Sequence, residues 1–271
     1  MPDQLRILVF GAHPDDCDIK AGGIAIKYAA LGHQVRFVSV TNGDAGHHEI
    51  GGIELARRRK AEAEAAGGVA GIEYHVMDNH DGELEPTLEN RKKVIRMIRS
   101  YTPDLILTHR PNDYHPDHRY TSILVQDSAY MVCVPNICTD TAPLRSNPVI
   151  AYLSDGFQKP TSFNPDVVID IDDVVEKKLD MLHCHTSQMY EWLPWIAGHI
   201  DEVPESNADR REWVEHRLQG FVRVADNYRS KLVELYGEER GRKVKYAEGF
   251  EGCEYGGALN EENIPVLFPF L

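Results

Sequence analysis

The stretch LRILVFGAHPDDCD, residues 5–18, places an apolar run directly before a cluster of acids. Such a run is typical of a strand that is buried on both faces of a sheet. After the glycine that ends it come His13, Asp15, Asp16 and Asp18. Carboxylates this close repel one another, and an unpaired carboxylate is costly to bury. We therefore expect a positive charge at the end of this strand.

Strand and helix patterns alternate through the first half of the chain. Further strands are predicted at 34–42, 72–78 and 104–110, and helices at 19–31, 53–66, 88–101 and about 118–131. This order predicts an α/β fold, a Rossmann-like, doubly wound, mostly parallel sheet with helices on both faces. Binding sites in such sheets lie beyond the carboxyl ends of the strands. The first loop lacks the G-x-G-x-x-G pattern, which argues against a dinucleotide ligand.

A second cluster, THRPNDYHPDH at residues 108–118, follows the fourth predicted strand. Strand ends of one sheet meet in one crevice, which would bring His13, Asp16 and His118 together. Two imidazoles and a carboxylate with an open position form the pattern of a catalytic zinc site. Zinc, or another divalent metal, would offset the carboxylate repulsion. Each HPD sequence alone is equally typical of a turn with a helix cap, but two at strand ends favour the metal.

Three neighbours of these ligands acquire chemical roles. Asp15 would point away from the ion and take a proton from the attacking water. His115 would polarise a carbonyl or protonate a leaving group. Asp117 would hydrogen-bond His115 and set its tautomer.

The second half of the chain predicts strands near 149–153 and at 167–171, and helices at 173–187 and about 208–237. A glycine-rich tail from residue 246 ends in VLFPFL, which we expect to dock on its own domain or on a neighbouring subunit. Since no repeat or linker interrupts the chain, we predict one domain over 1–271. Its Rossmann-like half, about 1–134, would carry the metal site, and about 135–271 would be a C-terminal elaboration.

Composition and hydropathy argue against several classes of partner. The net charge of −14 disfavours binding to nucleic acid or anionic lipid. No apolar stretch approaches the roughly 20 residues of a membrane span, and the start MPDQLRILVFG has no signal-peptide pattern. The five irregularly spaced cysteines favour reduced thiols in a cytoplasmic protein.

The paired motifs AHPDD at 12–16 and HPDH at 115–118 resemble the LmbE-like or PIG-L family of zinc-dependent N-acetylglucosaminyl deacetylases. GG at 22–23, DGEL at 81–84, HTSQ at 185–188 and AEGF at 247–250 extend the likeness over most of the chain. The resemblance implies the same metal ligands, the base and the oxyanion histidine named above.

The resemblance also implies substrate contacts. Arg59, His185 and Glu248 match family positions of this kind. Arg110 directly follows the fourth strand and could reach the crevice. Asp113 stands where some members have a tyrosine, so it is a further candidate for substrate binding.

The favoured function is thus a metal-dependent hydrolase that removes an acetyl or other acyl group from an N-acylated amino sugar or sugar conjugate. Two alternatives stay open. One is a hydratase or lyase acting on an unsaturated carboxylic acid, which calls for several arginines at the site; the other is a non-catalytic module that binds metal or sugar. His47 and His48 are expected on a surface loop. Aromatic residues in MYEWLPWIAGH, 189–199, favour core or subunit packing over sugar stacking, and we expect a homo-oligomer.

Overall fold

The computed structural model describes residues 4–215 and 219–271. Its strands are β1 Arg6–Gly11, β2 Gln34–Ser39, β3 Glu73–Val76, β4 Leu105–Thr108, β5 Val149–Leu153, β6 Val167–Asp170 and β7 Ala247–Gly252. Its helices are α1 Asp16–Ala30, α2 Gly52–Ala70, α3 Leu88–Tyr101, α4 Pro116–Met131, α5 Val175–Cys184, α6 Leu193–Ile196, α7 Asn207–Glu215, α8 Gln219–Asn227, α9 Arg229–Tyr236, α10 Glu238–Lys243 and α11 Ile264–Leu267. A π-helical turn, Gln188–Trp192, precedes α6, and a 3-10 turn, Ile200–Glu202, follows it.

The strands form one seven-stranded sheet in the order β3-β2-β1-β4-β5-β7-β6. The first five are parallel, whereas β7 runs antiparallel to both of its neighbours. The predicted mostly parallel, doubly wound sheet is therefore confirmed. The chain order reverses between β1 and β4, which is where such sheets open a crevice beyond their carboxyl ends.

The predicted central strand is buried on both faces. Ile7 and Val9 belong to a core shared with α1, α2 and α5, while Leu8 and Phe10 belong to a second core shared with α3 and α4. Alternate side chains of a strand point to opposite faces, so the uninterrupted apolar run feeds both cores. Each such burial stabilises the fold by about 1.5–3 kcal/mol.

Some predicted boundaries are wrong. The first helix begins at Asp16, three residues before the predicted start, so part of the acidic cluster is helical. The helix predicted over 208–237 is interrupted at Tyr228, whose φ of −115° and ψ of 32° are not helical. Residues 216–218 of that prediction lie outside the described residues.

The C-terminal tail contains a strand that the sequence analysis missed. Strand β7 is inserted between β5 and β6, although its sequence AEGFEG is poor in strand formers. The end of the tail docks on its own domain, since Phe268 is fully buried and its ring centroid lies 5.8 Å from that of Phe250. Within the described residues, no helix has the length and apolar character needed to cross a membrane.

Candidate active site

The ends of β1 and β4 bring the three predicted metal ligands into mutual contact. His13 Nδ1 lies 3.3 Å from Asp16 Oδ2 and 3.2 Å from His118 Nε2. The third side of this triangle, from His118 Nε2 to Asp16 Oδ2, is 3.4 Å. Ligand bonds of about 2.0–2.1 Å in a tetrahedral zinc site place the ligand atoms roughly 3.3–3.4 Å apart. Both the donor set and its spacing fit one divalent ion.

The local backbone explains how Asp16 reaches this position. It lies in the first turn of α1, and its Oδ2 accepts hydrogen bonds from the backbone N–H groups of Ala12 (3.0 Å) and His13 (2.7 Å). Gly11 makes this tight return possible, because a Cβ there would stand 2.8 Å from Cβ of Asp16. The glycine that ends β1 is thus a steric requirement of the site.

In both His13 and His118, the ring nitrogen that is not a proposed ligand atom has a carboxylate beside it. Asp81 Oδ1 lies 3.0 Å from His13 Nε2, and Asp113 Oδ1 lies 3.1 Å from His118 Nδ1. Burial alone would lower the pKa of His13, but the carboxylates of Asp117, Asp16 and Asp81 outweigh it, so this pKa is raised well above its usual value. Carboxylates behind metal-binding histidines orient the rings and increase their basicity.

Two further histidines adjoin the triangle, but each has a lone pair already engaged. His109 Nε2 shares the N–H of Ala12 with Asp16 Oδ2 and lies 3.1 Å from that nitrogen, and burial together with His118 lowers the pKa of His109 to about 4. His115 Nδ1 accepts the N–H of Asp117 at 3.2 Å, which leaves Nε2 free. The His115 ring meets His13 edge-on, with 4.6 Å between centroids.

Asp15 is held by an arginine. It occupies the residue before α1, yet its carboxylate makes no hydrogen bond that caps the helix. Its Oδ1 lies 3.2 Å from Arg59 Nη2, while Nη1 of the same guanidinium donates to the carbonyl of Gly43 at 3.2 Å and lies 3.5 Å from Asp81 Oδ2. Burial raises the pKa of Asp15, the positive charge of Arg59 opposes that rise, and Asp16 adds to it.

A cavity of about 350 Å³ lies at the carboxyl edge of the sheet, and it is lined by the three predicted metal ligands together with Asp15, Arg59, Asp81 and His115. Gln188, Trp192 and Leu193 complete its wall from the second half of the chain. Trp192 stacks on Trp195 with 5.4 Å between centroids, and Trp195 stacks on His48 at 5.0 Å.

Comparison with known proteins places this site in a family. Residues 8–129 match the family model PIG-L, GlcNAc-PI de-N-acetylase. The chain is 32% identical over 209 residues to a diacetylchitobiose deacetylase of Thermococcus kodakarensis, covering 72% of this chain and 76% of that protein. The chain belongs to the PIG-L family.

A solved structure shares the PIG-L fold over nearly the whole chain. The N,N'-diacetylchitobiose deacetylase of Pyrococcus horikoshii superposes with a TM-score of 0.71 at 27% identity, covering 92% of this chain and 83% of that one. A 4-oxalmesaconate hydratase of Pseudomonas putida is also related, at 23% identity over 70% of this chain and 76% of its own length.

Three predicted substrate contacts of this PIG-L chain do not line the cavity. Arg110 forms a paired contact with Asp155 at 2.7 and 2.6 Å. His185 is fully buried, 3.2 Å from Asp18. Glu248, also fully buried, accepts backbone N–H groups within α1 at 2.8 and 2.9 Å and pairs with Lys178. Arg110 and Glu248 are engaged by the scaffold, and none of the three residues lines the cavity.

The two acidic residues near the HPDH motif differ from expectation in their contacts. Asp113 faces His118 and does not line the cavity. The carboxylate of Asp117 accepts the N–H groups of Gly82 (2.7 Å) and Leu84 (3.3 Å) and makes no hydrogen bond to the His115 ring. Asp117 instead contacts the His115 ring through its own backbone N–H, which donates to Nδ1 of His115.

The sequence analysis also missed residues that shape the site. Asp81 was noted only within the motif DGEL, although its place after β3 could have signalled a role at the sheet edge. His47 was expected on a surface loop, but its side chain is only 3% exposed and its Nε2 lies 2.8 Å from Glu191 Oε2. This contact ties the loop after β2 to the π-helical turn beside the cavity.

Proposed function

We propose that this PIG-L protein removes the acetyl group of an N-acetylated amino sugar or sugar conjugate, using a divalent ion held by His13, Asp16 and His118. The observation that carries the proposal is the triangle of ligand atoms with Asp15 and His115 at its side. Bound there, zinc would polarise the acyl carbonyl and lower the pKa of water. The names of the deacetylase relatives support the substrate class.

Asp15 serves as the general base in this proposal. Burial raises the pKa of its carboxyl group, which makes it a better proton acceptor than an exposed aspartate. The contact with Arg59 fixes its orientation toward the cavity. After taking a proton from the attacking water, Asp15 holds the proton that the departing amine requires.

His115 serves as the donor to the oxyanion. Because its Nδ1 accepts a backbone hydrogen bond, Nε2 carries the hydrogen of the neutral ring. Burial and the charges of His13 and His118 lower its pKa, which also favours that neutral form. A neutral Nε2–H can stabilise the negative charge that develops on the carbonyl oxygen.

The small number of arginines that line the catalytic cavity favours deacetylase activity over hydratase activity. Among the described residues that line the cavity, Arg59 is the one arginine, and it is engaged by Asp15 and Asp81. Arg110, the other candidate, is paired with Asp155. In the catalytic cavity itself, an unsaturated di- or tricarboxylic acid would thus meet carboxylates and no arginine without a carboxylate partner.

We further propose that zinc is the resident ion, that the protein is cytoplasmic, that it forms a homo-oligomer, and that residues 1–271 form a single functional domain. The last is supported by the cavity wall, which combines residues from both predicted halves.

The test is acetate release from N,N'-diacetylchitobiose and a panel of N-acetylglucosamine conjugates in the presence of zinc. We expect Asp15→Asn to keep the metal but to lose about 10²–10⁴ in turnover. Asp127→Asn, an exposed site on α4, is the matched control and should behave as wild type. No acetate from any conjugate, together with hydration of an unsaturated carboxylic acid, would overturn the deacetylase assignment.

A further inference from the structure

A second cavity adjoins the catalytic one. It has a volume of about 520 Å³, and both cavities fall within the range of small-ligand sites, roughly 300–1,000 Å³. Ile19 and Leu193 line both cavities, so the two lie side by side. We expect a substrate whose acetamido group reaches the metal ligands to extend past these two side chains into the second cavity.

Helix α1 positions charged groups of opposite sign in the two cavities. Asp16 lies in the catalytic cavity and Lys20, one turn later, lies in the second. Four residues of helix span roughly 6 Å along the axis, which is about the length of one sugar ring. The spacing suits a substrate with a neutral sugar at the carboxylates and a further group near Lys20.

The second cavity carries an uncompensated positive charge. Lys20 Nζ donates to the carbonyl of Ser154 at 3.0 Å, and Arg223 Nε donates to the carbonyl of Gln219 at 3.4 Å. These partners are neutral, and within 4–215 and 219–271 neither cation pairs with a carboxylate. The carboxylate in the lining, Asp155, is itself paired with an arginine, Arg110, outside it.

The apolar part of the lining defines the rest of the site. Met189, Leu182 and Phe221 line the cavity beside the two cations. Phe221 is held in place, since Lys178 Nζ lies 3.6 Å from its ring centroid. In a chain of net charge −14, two cations without a carboxylate partner among the described residues, beside a fixed apolar wall, form a distinct recognition surface.

Building on the proposed function, we infer that the second cavity binds the aglycone of the substrate and selects an aglycone that carries a carboxylate or another acidic group. Lys20 and Arg223 bind the acidic group, and the apolar wall contacts the carbon chain that links it to the sugar. Asp15 and Asp81 in the catalytic cavity repel the acidic group, whereas Lys20 and Arg223 attract it, and this difference orients the conjugate.

The test compares two conjugates that differ in charge alone: the carboxymethyl glycoside of N-acetylglucosamine and its carboxamide, each as both anomers. Affinity is measured by calorimetry with zinc-loaded Asp15→Asn protein, and deacetylation by release of the free amine with wild-type protein. A hydrogen bond to a charged group should favour the carboxylate in affinity by about tenfold or more. The double variant Lys20→Gln/Arg223→Gln should bring this ratio close to one.

Lys177→Gln removes the same charge from an exposed position on α5 and is the matched control, which should keep the wild-type ratio. Equal affinity for the two conjugates, binding of neither, or a ratio that survives the double variant would overturn the inference. A preference for the carboxylate without amine release from either conjugate would refute the proposed deacetylation but support the acidic subsite.

Discussion

Removing the carboxylate behind His118 should weaken metal binding in a graded way. Asp113 Oδ1 lies 3.1 Å from His118 Nδ1, and its side chain is 8% exposed, so solvent screens the contact little. Burial raises the pKa of Asp113, but the hydrogen bond and charge of His118 outweigh this and lower it, so the group is ionised at neutral pH. Loss of such a partner typically costs 10–100-fold in metal affinity, which is about 1.4–2.7 kcal/mol.

Two substitutions separate the charge from the hydrogen bond. Asp113→Asn keeps an acceptor oxygen and should lie near the tenfold end, while Asp113→Ala loses both and should lie near the hundredfold end. Zinc affinity is measured by competition with a chromophoric chelator, with circular dichroism as the check on folding. Asp127→Asn serves as the control because that residue pairs with Arg91 on the surface. Wild-type zinc affinity in folded Asp113→Ala would refute the proposed support of His118.

His115→Ala should lower kcat by about 10²–10³ while zinc content stays at wild-type level, and loss of zinc in this variant would make His115 a ligand. Glu248→Gln breaks a fully buried pair with Lys178 and should lower the free energy of unfolding by about 3–5 kcal/mol in urea titrations. A raised KM with unchanged stability would contradict this and support the substrate role that the family resemblance implied. Apparent zinc affinity should weaken as the pH falls. The pKa of His13 is raised above its usual value of 6.5, so protons already compete with zinc for this imidazole at a pH above 6.5. Equal zinc affinity by calorimetry at pH 8 and pH 6 would contradict this.

The sequence predicted those parts of the site that depend on backbone topology. An apolar run buried on both faces is a strong local signal for β1, and parallel neighbours place their carboxyl ends at the same edge. Those two facts bring His13 and His118 together without any knowledge of rotamers. The same reasoning located Asp15 beside the cavity, whereas its contact with Arg59 is known from the structure alone.

The sequence could not predict which polar partner each buried side chain would find. Arg110 follows β4 closely, yet it turns to Asp155, which lies 45 residues away in the chain. Glu248 lies on β7, a strand whose place in the sheet depends on long-range pairing with β5 and β6. Its weak local propensity concealed both the strand and the scaffold role of the glutamate. Asp113 and Asp81 likewise became partners of imidazoles only through the tertiary fold.

Zinc content of the purified protein, measured per chain for the wild type, His13→Ala and His118→Ala, tests the proposed metal centre most directly. The triangle of ligand atoms predicts about one tightly held ion per chain in the wild type. Each substitution removes one of three protein ligands, so the folded variants should lose most of that zinc after dialysis against a weak chelator. Retention of a full equivalent of zinc in both variants would contradict the assignment of His13, Asp16 and His118 as the metal ligands.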